Sequence, residues 1–245
     1  MTALEIAVTS VEGARAAREG GANRVELCSA LEVGGVTPSH GLLEAVLDEV
    51  GGIEAGDGWQ GVQVLVRPRP GGFSYSREER DLLAREVDTI LEAGADGIVI
   101  GALTTDGLPD VDLVRRIAEK AAAYEATVTF HRAVDLSADP VAAVRALSGM
   151  VDRVLTSGGA STAAAGAATI AAMVAVEGPD VLAGGGVSVE AIRALAALGV
   201  EGVHLSAKRR IPSASRLALG DADDGGHWVT DPAVVAAAAA VLGRH

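Results

Sequence analysis

The chain has 245 residues, and its 20 Lys and Arg against 33 Asp and Glu give a formal net charge of −13. This charge repels phosphate backbones and anionic membranes, so we expect no nucleic acid and no membrane surface as a partner. Hydrophobic residues make up 49% of the chain but aromatic residues only 2%, so the core must consist of small aliphatic side chains, as in parallel strands covered by helices.

The first residues and the cysteine content indicate a cytoplasmic protein. The opening MTALEIAVTS lacks the basic and apolar regions of a signal peptide, and no window holds 18 apolar residues without a charge. Cys28 is the only cysteine, so neither an intrachain disulfide nor a zinc site with several cysteines can form. A copper site with two thiolates would need a second chain.

Short runs rich in β-forming residues alternate with helix-length segments along the chain. The eight runs predicted as strands are LEIAV, RVELC, GVQVLVR, GIVI, TVTFH, RVLT, VLAG and GVHLS. The predicted helices lie near 10–20, 39–49, 76–93, 110–123, 139–147, 161–176, 188–197 and 231–242, with N-caps at Ser10, Ser39, Ser76 and Ser188. The alternation predicts an α/β fold, a single-domain TIM-like (β/α)8 parallel barrel over residues 1–245, with a C-terminal excursion and helix at about 208–245.

Two segments rich in turn residues, 51–60 and 212–228, interrupt the regular spacing, and we expect both to be surface excursions. The second contains Asp221, Asp223 and Asp224. Their spacing does not match an EF-hand loop, so we expect a solvated acidic loop rather than a calcium site.

Alternate residues of a barrel strand face the surrounding helices and the interior. One parity of the predicted strands is apolar: Leu4, Ile6, Val25, Leu27, Val62, Val64, Val66, Val128, Phe130, Val203 and Leu205. The other parity is mostly polar: Glu5, Glu26, Cys28, Gln63, Arg67, Arg69, Thr127, Thr129, His131, His204 and Ser206. With the apolar set toward the helices, the polar set points into the barrel or onto its C-terminal rim.

How deep each inward residue lies in the barrel distinguishes structural residues from functional ones. Buried charges must pair, so we expect Glu5 or Glu26 to meet Arg67 or Arg69. Gln63 and Glu5 come early in their strands and are expected to brace the barrel.

Three inward residues lie at or near strand ends: Arg67, His131 and His204. We expect them to bind a ligand or to take part in catalysis, because barrel sites lie at that rim. Arg132 has the opposite parity and is expected to be an outer or supporting residue. Asp135 either orients His131 or caps the next helix.

Two glycine-rich loops, TSGGAS at 156–161 and AGGGVS at 183–188, each join a strand to a helix. Such loops can present backbone N–H groups to an anion, and barrels often bind phosphate after strands seven and eight. The candidate anion-binding residues are Ser157, Gly158, Gly159, Gly184, Gly185, Gly186 and Ser206. The alternative is that the glycines only allow tight turns.

Six motifs together resemble the CutC family: ELCSAL (26–31), GGVTPS (34–39), RPRPGGFSYS (67–76), TFHRAVD (129–135), RVLTSGG (153–159) and AGGGV (183–187). The resemblance implies a TIM-like barrel, a cytoplasmic location and a link to copper tolerance and Cu(I) binding. The site that it implies comprises Glu26, Cys28, Arg67, Arg69, His131, Arg132, Asp135 and the two glycine loops. This chain departs from the family pattern at Pro70-Gly71-Gly72 and at Ser74, which weakens a copper site more than an anion site.

Two functions fit these residues. A copper homeostasis protein would bind Cu(I) through Cys28 with His131 or His204, although one cysteine offers Cu(I) little of the sulfur it prefers, and residue habits favour Cys28 as a small buried hydrophobe. An enzyme of the lyase or isomerase class would use Glu26 or His131 to move a proton, with Asp135 in support. Arg67 and Arg69 would hold a carboxylate or oxyanion, and a glycine loop would hold a phosphate.

A sensor that uses the same pocket without turnover is a third possibility. The expected partner is in each case a copper ion or a small anionic molecule. The barrel is also compatible with a homo-oligomer.

Overall fold

The computed structural model describes residues 2–52, 58–212 and 226–243. Eight parallel strands form a closed barrel in chain order, so the predicted fold class is confirmed. The strands are β1 (Ala3–Val8), β2 (Arg24–Leu27), β3 (Val62–Leu65), β4 (Gly97–Ile100), β5 (Thr127–Phe130), β6 (Arg153–Thr156), β7 (Asp180–Gly184) and β8 (Gly202–Leu205). Pairing of β1 with β8 closes the ring, with Glu5 opposite His204.

Helices follow the strands and surround the barrel. They are α1 (Val11–Glu19), α2 (His40–Val50), α3 (Arg77–Glu92), α4 (Val111–Ala122), α5 (Pro140–Ala146), α6 (Ala167–Val174), α7 (Ile192–Ala196) and α8 (Pro232–Val241). Short 3-10 helices span Leu31–Val33, Arg132–Leu136 and Val189–Ala191. None of the helices in the described part of the chain combines the length and the apolar character that crossing a bilayer requires.

The helix starts follow the predicted capping chemistry. The Ser10 hydroxyl accepts the N–H of Gly13, and Ser39 does the same for Leu42. Ser76 forms a capping box with Glu79 at the start of α3. Ser188 is the exception, because it precedes a 3-10 turn and its side chain makes no capping bond.

The layer between barrel and helices contains the apolar parity of the strands. Leu4, Ile6, Val25, Leu27 and Phe130 are completely buried there, together with the inner faces of the helices. Burial of each such side chain contributes roughly 1.5–3 kcal/mol. The predicted division between outward apolar and inward polar residues is therefore confirmed for these strands.

The floor of the barrel, at the amino ends of the strands, is an ionic network that the sequence analysis did not identify. Arg24 donates from Nε to Glu5 Oε2 at 2.5 Å, and from Nη1 and Nη2 to the Glu201 carboxylate at 2.8 Å. The predicted pairing of Glu5 with Arg67 or Arg69 is thus wrong. Arg24 has the same parity as Glu26 and lies nearer to Glu5 than the predicted partners.

A second group of polar side chains braces the opposite side of the floor. Arg153 donates from Nη2 to Gln63 Oε1 at 2.9 Å and to the Thr127 hydroxyl oxygen at 2.8 Å. Its Nε donates to the Thr129 hydroxyl oxygen at 3.2 Å. These contacts agree with the structural role expected for Gln63.

The C-terminal segment adds two strands that the sequence analysis missed. Strand β9 (Lys208–Pro212) pairs antiparallel with β10 (Gly226–Thr230), and α8 then packs against α1 and β1. Most of the predicted excursion at 212–228, including its three aspartates, lies outside the described residues, as do residues 53–57 of the other excursion. Trp59, which we expected in a surface loop, is buried.

Candidate functional site

A cavity of about 220 Å³ opens at the carboxyl ends of the barrel strands. Its polar lining residues are Glu26, Arg67, His131, Arg132, His204 and Ser206. Its apolar lining residues are Leu31, Leu65, Phe73, Leu155, Val187 and Leu205. The predicted inward residues near the strand ends therefore meet in one cavity, at the end where barrels carry their sites.

His131 stands at the end of β5, where the chain turns into the 3-10 helix Arg132–Leu136. Its Nδ1 accepts the backbone N–H of Ala133 at 3.1 Å, while its Nε2 is buried and has no hydrogen-bond partner among the described residues. Burial, reinforced by the Arg67 charge, lowers the pKa of His131 to about 3. Gly101 permits this position, since a Cβ there would lie 2.3 Å from the imidazole ring.

Arg67 leaves β3 and turns back under the loop that follows β2. Its guanidinium donates to the carbonyls of Val33, Gly35 and Gly71, at 3.2, 2.7 and 3.0 Å, and lies 5.1 Å from the centre of the Phe73 ring. Its Nε is buried without a partner in the described part of the chain. The same Phe73 ring lies 4.8 Å from the His131 ring, centroid to centroid. Phe73 therefore contacts both the Arg67 guanidinium and the His131 imidazole, a role that the sequence analysis missed although the residue lies within the RPRPGGFSYS motif.

Glu26 and His204 form the other polar wall. Glu26 is buried, and its Oε2 has no hydrogen-bond partner within the described ranges. Burial and the nearby Glu5 charge raise the pKa of Glu26 to about 7, against the opposing effect of His204.

Glu5 connects this wall to the floor. Its Oε1 lies 2.7 Å from His204 Nδ1. Burial alone would raise the pKa of Glu5, but Arg24 and His204 outweigh it and hold that pKa at about 2. Burial would likewise lower the pKa of His204, but the carboxylates of Glu26 and Glu5 outweigh it and the net shift is upward.

Asp135 neither orients His131 nor caps the next helix, so both predicted roles are wrong. Its carboxylate accepts the N–H groups of Ser157 and Gly159, both at 3.0 Å, and the Thr156 hydroxyl at 2.5 Å. The next helix, α5, is capped by Asp139. The first glycine loop, predicted to bind an external anion, thus already binds the carboxylate of Asp135.

Arg132 reaches the cavity although its parity predicted an outer position. Strand alternation ends at Phe130, and the 3-10 turn redirects the Arg132 side chain. Its Nε donates to Asp135 Oδ2 and its Nη2 to the Ser157 hydroxyl oxygen, both at 2.8 Å. The side chain remains 44% exposed at the cavity mouth, where it can meet a ligand from solution.

The second glycine loop borders the cavity. Gly185 and Gly186 line it, with left-handed φ angles of 100° and 59°, and so does Ser206, directly after β8. A Cβ at Gly185 would lie 2.9 Å from the Arg132 guanidinium carbon. Gly184 belongs to β7 and lies beside His204. Of the two predicted anion loops, this one faces the cavity.

Arg69 lies outside the cavity, contrary to its predicted place beside Arg67. It pairs with Glu79 and donates to the carbonyls of Gly72 and Ser74 at 2.8 and 3.0 Å. The chain leaves the sheet after Leu65, so inward parity no longer applies four residues later. Arg69 holds the loop in front of α3.

Cys28 does not meet His131 or His204 in a metal site. It is fully buried beside Leu65 and Val99, and burial raises the pKa of its thiol. Among the described His, Cys, Asp and Glu side chains, one group could converge on an ion: Glu5, Glu26 and His204. This set offers oxygen and nitrogen but no sulfur, so it does not suit Cu(I).

Comparisons with known proteins agree with the fold and with the motifs. A family model described as the CutC family matches residues 2–209. A CutC family protein from Xylella fastidiosa is 43% identical over 218 residues, which cover 87% of this chain and 78% of the relative. One from Xanthomonas campestris is 41% identical over 209 residues, covering 84% and 83%.

Among solved structures, the CutC protein from Streptococcus agalactiae superimposes with a TM-score of 0.73 at 25% identity, covering 84% of this chain and 99% of that one. The family match at residues 2–209 includes all eight barrel strands. The chain belongs to the CutC family.

Proposed function

We propose that this protein is an enzyme of the lyase or isomerase class that acts on a small carboxylated or phosphorylated metabolite in the barrel cavity. One observation carries the proposal. Glu26, Arg67 and His131 lie in or just beyond three different strands and line one cavity, and each has a buried atom (Oε2, Nε and Nε2, respectively) without a hydrogen-bond partner in the residues described. A buried polar atom without a partner is costly, so a ligand that satisfies all three gains binding energy.

The charges of the site favour an anion despite the net charge of −13. Arg132 and Arg67 line the cavity, and the Glu5 carboxylate nearby is balanced by Arg24 and His204. An arginine guanidinium binds carboxylate or phosphate oxygens in pairs. The left-handed backbone at Gly185 and Gly186 supports close approach of such a group.

The test is ligand-induced thermal stabilisation by inorganic phosphate, pyruvate, glycolate and dihydroxyacetone phosphate, followed by calorimetry on any that stabilise the protein. Arg132→Gln should weaken binding by about 10-fold or more. Arg115→Gln is the matched control, since Arg115 also pairs with an aspartate three positions away but lies on α4, outside the cavity. Equal loss in both variants, or no binding of any compound to the wild type, would contradict the proposal.

Copper binding is the second candidate, favoured by the name of the Streptococcus neighbour, which proposes a copper homeostasis role. Cu(I) competition against a calibrated chelator tests it, on the wild type and on Cys28→Ser. One-to-one binding that is lost in the variant would support it. Binding that is weak or independent of Cys28 supports the enzyme proposal, as the burial of the thiol leads us to expect.

We also propose a cytoplasmic location, because a single buried thiol is compatible with a reducing compartment. Cell fractionation with an antibody tests it. Recovery in a membrane or secreted fraction would contradict it.

A further inference from the structure

The backbone fixes the tautomer of His131. A nitrogen that accepts a hydrogen bond must present a lone pair, and Nδ1 accepts the N–H of Ala133 at 3.1 Å. In the neutral ring the proton is therefore on Nε2. The backbone of the same residue is anchored as well, since its N–H donates to the Ile100 carbonyl at 2.6 Å.

His131 is consequently a fixed hydrogen-bond donor and not a base. Its Nε2–H lies in the cavity wall without a partner among the described residues. Protonation of Nδ1 would break the bond from Ala133, and the Arg67 charge opposes it further. A neutral imidazole of this kind polarises a carbonyl oxygen and stabilises the oxyanion that forms from it.

Glu26 is the group that can accept a proton. Glu26 lines the same cavity, its Oε2 has no hydrogen-bond partner among the described residues, and its other surroundings are polar: His204 lies near it, backed by Glu5 and Arg24. A carboxylate that is desolvated and has one free oxygen is an effective general base near neutral pH. Glu26 thus accepts the proton, and His131 donates the hydrogen bond.

We infer that the cavity catalyses proton transfer at the carbon next to a carbonyl group, with Glu26 as the base and His131 as the carbonyl's hydrogen-bond donor. The substrate class is a small α-hydroxy ketone, α-hydroxy aldehyde or 2-keto acid with an anionic end group. This inference rests on the proposed function and narrows it to one reaction type.

The step balances without a cofactor. The Glu26 carboxylate removes the proton from the α-carbon, and the C–H electron pair becomes the C=C bond of an enolate. The C=O π pair moves to the oxygen, which accepts the hydrogen bond from His131 Nε2–H. With an α-hydroxy substrate, the α-hydroxyl proton moves to the former carbonyl oxygen, the α-oxygen re-forms a C=O bond, and the proton held by Glu26 adds to the former carbonyl carbon to give the isomer. Return of the proton to the original carbon gives back the substrate, with its hydrogen exchanged for one from solvent.

The anionic end of the substrate has a place at the cavity mouth. Arg132 is partly exposed there, beside Gly185, Gly186 and Ser206. The cavity is also lined by apolar side chains, among them Leu155 and Leu205. A short carbon chain thus spans from the cation to the Glu26 and His131 pair.

The first test needs no substrate. Nitrogen-15 NMR of histidine-labelled protein, with His131→Gln to assign the signals, reports the protonation of each ring nitrogen. We expect His131 to be neutral, with its proton on Nε2, from about pH 5 to pH 9. An imidazolium near neutral pH, or a proton on Nδ1, would overturn the inference.

The second test measures deuterium incorporation from D2O into the α-carbon of dihydroxyacetone phosphate and of hydroxypyruvate, with binding followed by calorimetry. The wild type should exchange the C–H proton of at least one compound. Glu26→Gln should slow exchange by about 100-fold or more and change the Kd by less than about threefold. Arg115→Gln, on the outer surface, should behave as the wild type.

The outcomes separate the two proposals. Binding without exchange in the wild type overturns the inference and leaves the proposed function standing. Exchange that survives in Glu26→Gln overturns the role of Glu26. If neither compound binds, the inference is overturned, and the proposed function is contradicted with it only when phosphate, pyruvate and glycolate also fail to bind.

Discussion

The floor and the upper cavity of the barrel bury similar polar side chains, but the two regions differ in whether these side chains have hydrogen-bond partners. On the floor, Arg24 and Arg153 place their donors on carboxylate, amide and hydroxyl oxygens. In the cavity, three buried polar atoms have no partner among the described residues. Charge and burial alone do not distinguish a structural network from a binding site, but hydrogen-bond satisfaction does.

The largest expected effect comes from breaking the floor. Arg24→Met leaves Glu5 buried without its arginine, which should cost about 3–5 kcal/mol of unfolding free energy. Urea denaturation measures this. Arg15→Met, which removes the exposed pair with Glu49, is the control and should cause no measurable loss. A stable Arg24→Met protein would mean that the floor network does not stabilise the fold.

Glu26→Gln tests the cavity through the pH dependence of stability. Glu26 has a folded pKa of about 7 against a usual 4.5, so the folded state binds its proton more tightly. The stability contributed by this group is complete below pH 4.5 and is lost as the pH rises through 7. The variant should avoid this loss and gain about 3 kcal/mol over the wild type at pH 8 relative to pH 4.5.

Urea denaturation of both proteins across this pH range tests the expectation. Parallel pH profiles of the two proteins would show that the pKa of Glu26 is not shifted. The deuterium exchange rate should rise over the same range, because the base is active only when ionised.

Cys28→Ser tests the small apolar cluster that Cys28 forms with Leu65 and Val99 beside the cavity. It places a hydroxyl beside Leu65 and Val99, at a cost of roughly 1–3 kcal/mol. Thermal denaturation should show this loss, while ligand binding in the cavity stays within about twofold of the wild type. Cys28→Ala, which adds no polar atom, separates the hydroxyl effect from lost volume. A larger loss in Cys28→Ala than in Cys28→Ser would contradict the expectation.

Arg69→Gln should have the smallest effect. Arg69 is tied to Glu79 and to loop carbonyls outside the cavity. Calorimetry should therefore give the same ligand affinity as for the wild type. Weakened binding would place Arg69 at the site after all.

Strand periodicity predicted what lies within the strands and less of what lies beyond them. Glu26, His131 and His204 point inward as alternation requires, since barrel geometry fixes side-chain direction. Arg69 and Arg132 lie beyond the ends of their strands, where a turn changes the direction of the side chains. Parity therefore predicted Arg69 at the cavity and Arg132 away from it, and the structure places each the other way. The role of Asp135 depends on a contact with the loop 22 residues later, which no local pattern encodes.

The hydrogen-bond partners of the floor residues were likewise not predictable from local sequence patterns. Arg24 was visible in the second strand with inward parity, but its pairing with Glu201 joins residues 177 positions apart. Such pairing depends on barrel closure. Strands β9 and β10 were missed because KRRIP and GHWVT are charged or mixed and lack clear alternation.

The closure of β1 on β8 has a consequence for how the protein is made. Glu5 meets His204 across 199 positions of sequence, so a growing chain on the ribosome cannot complete this contact until the last barrel strand has emerged. The environment that raises the pKa of Glu26 arises late in synthesis as well, because it depends first on burial in the closed barrel and then on the charges of His204 and Glu5. Nascent chains that end before residue 202 lack β8 and expose an open barrel edge, a form that aggregates and that chaperones recognise.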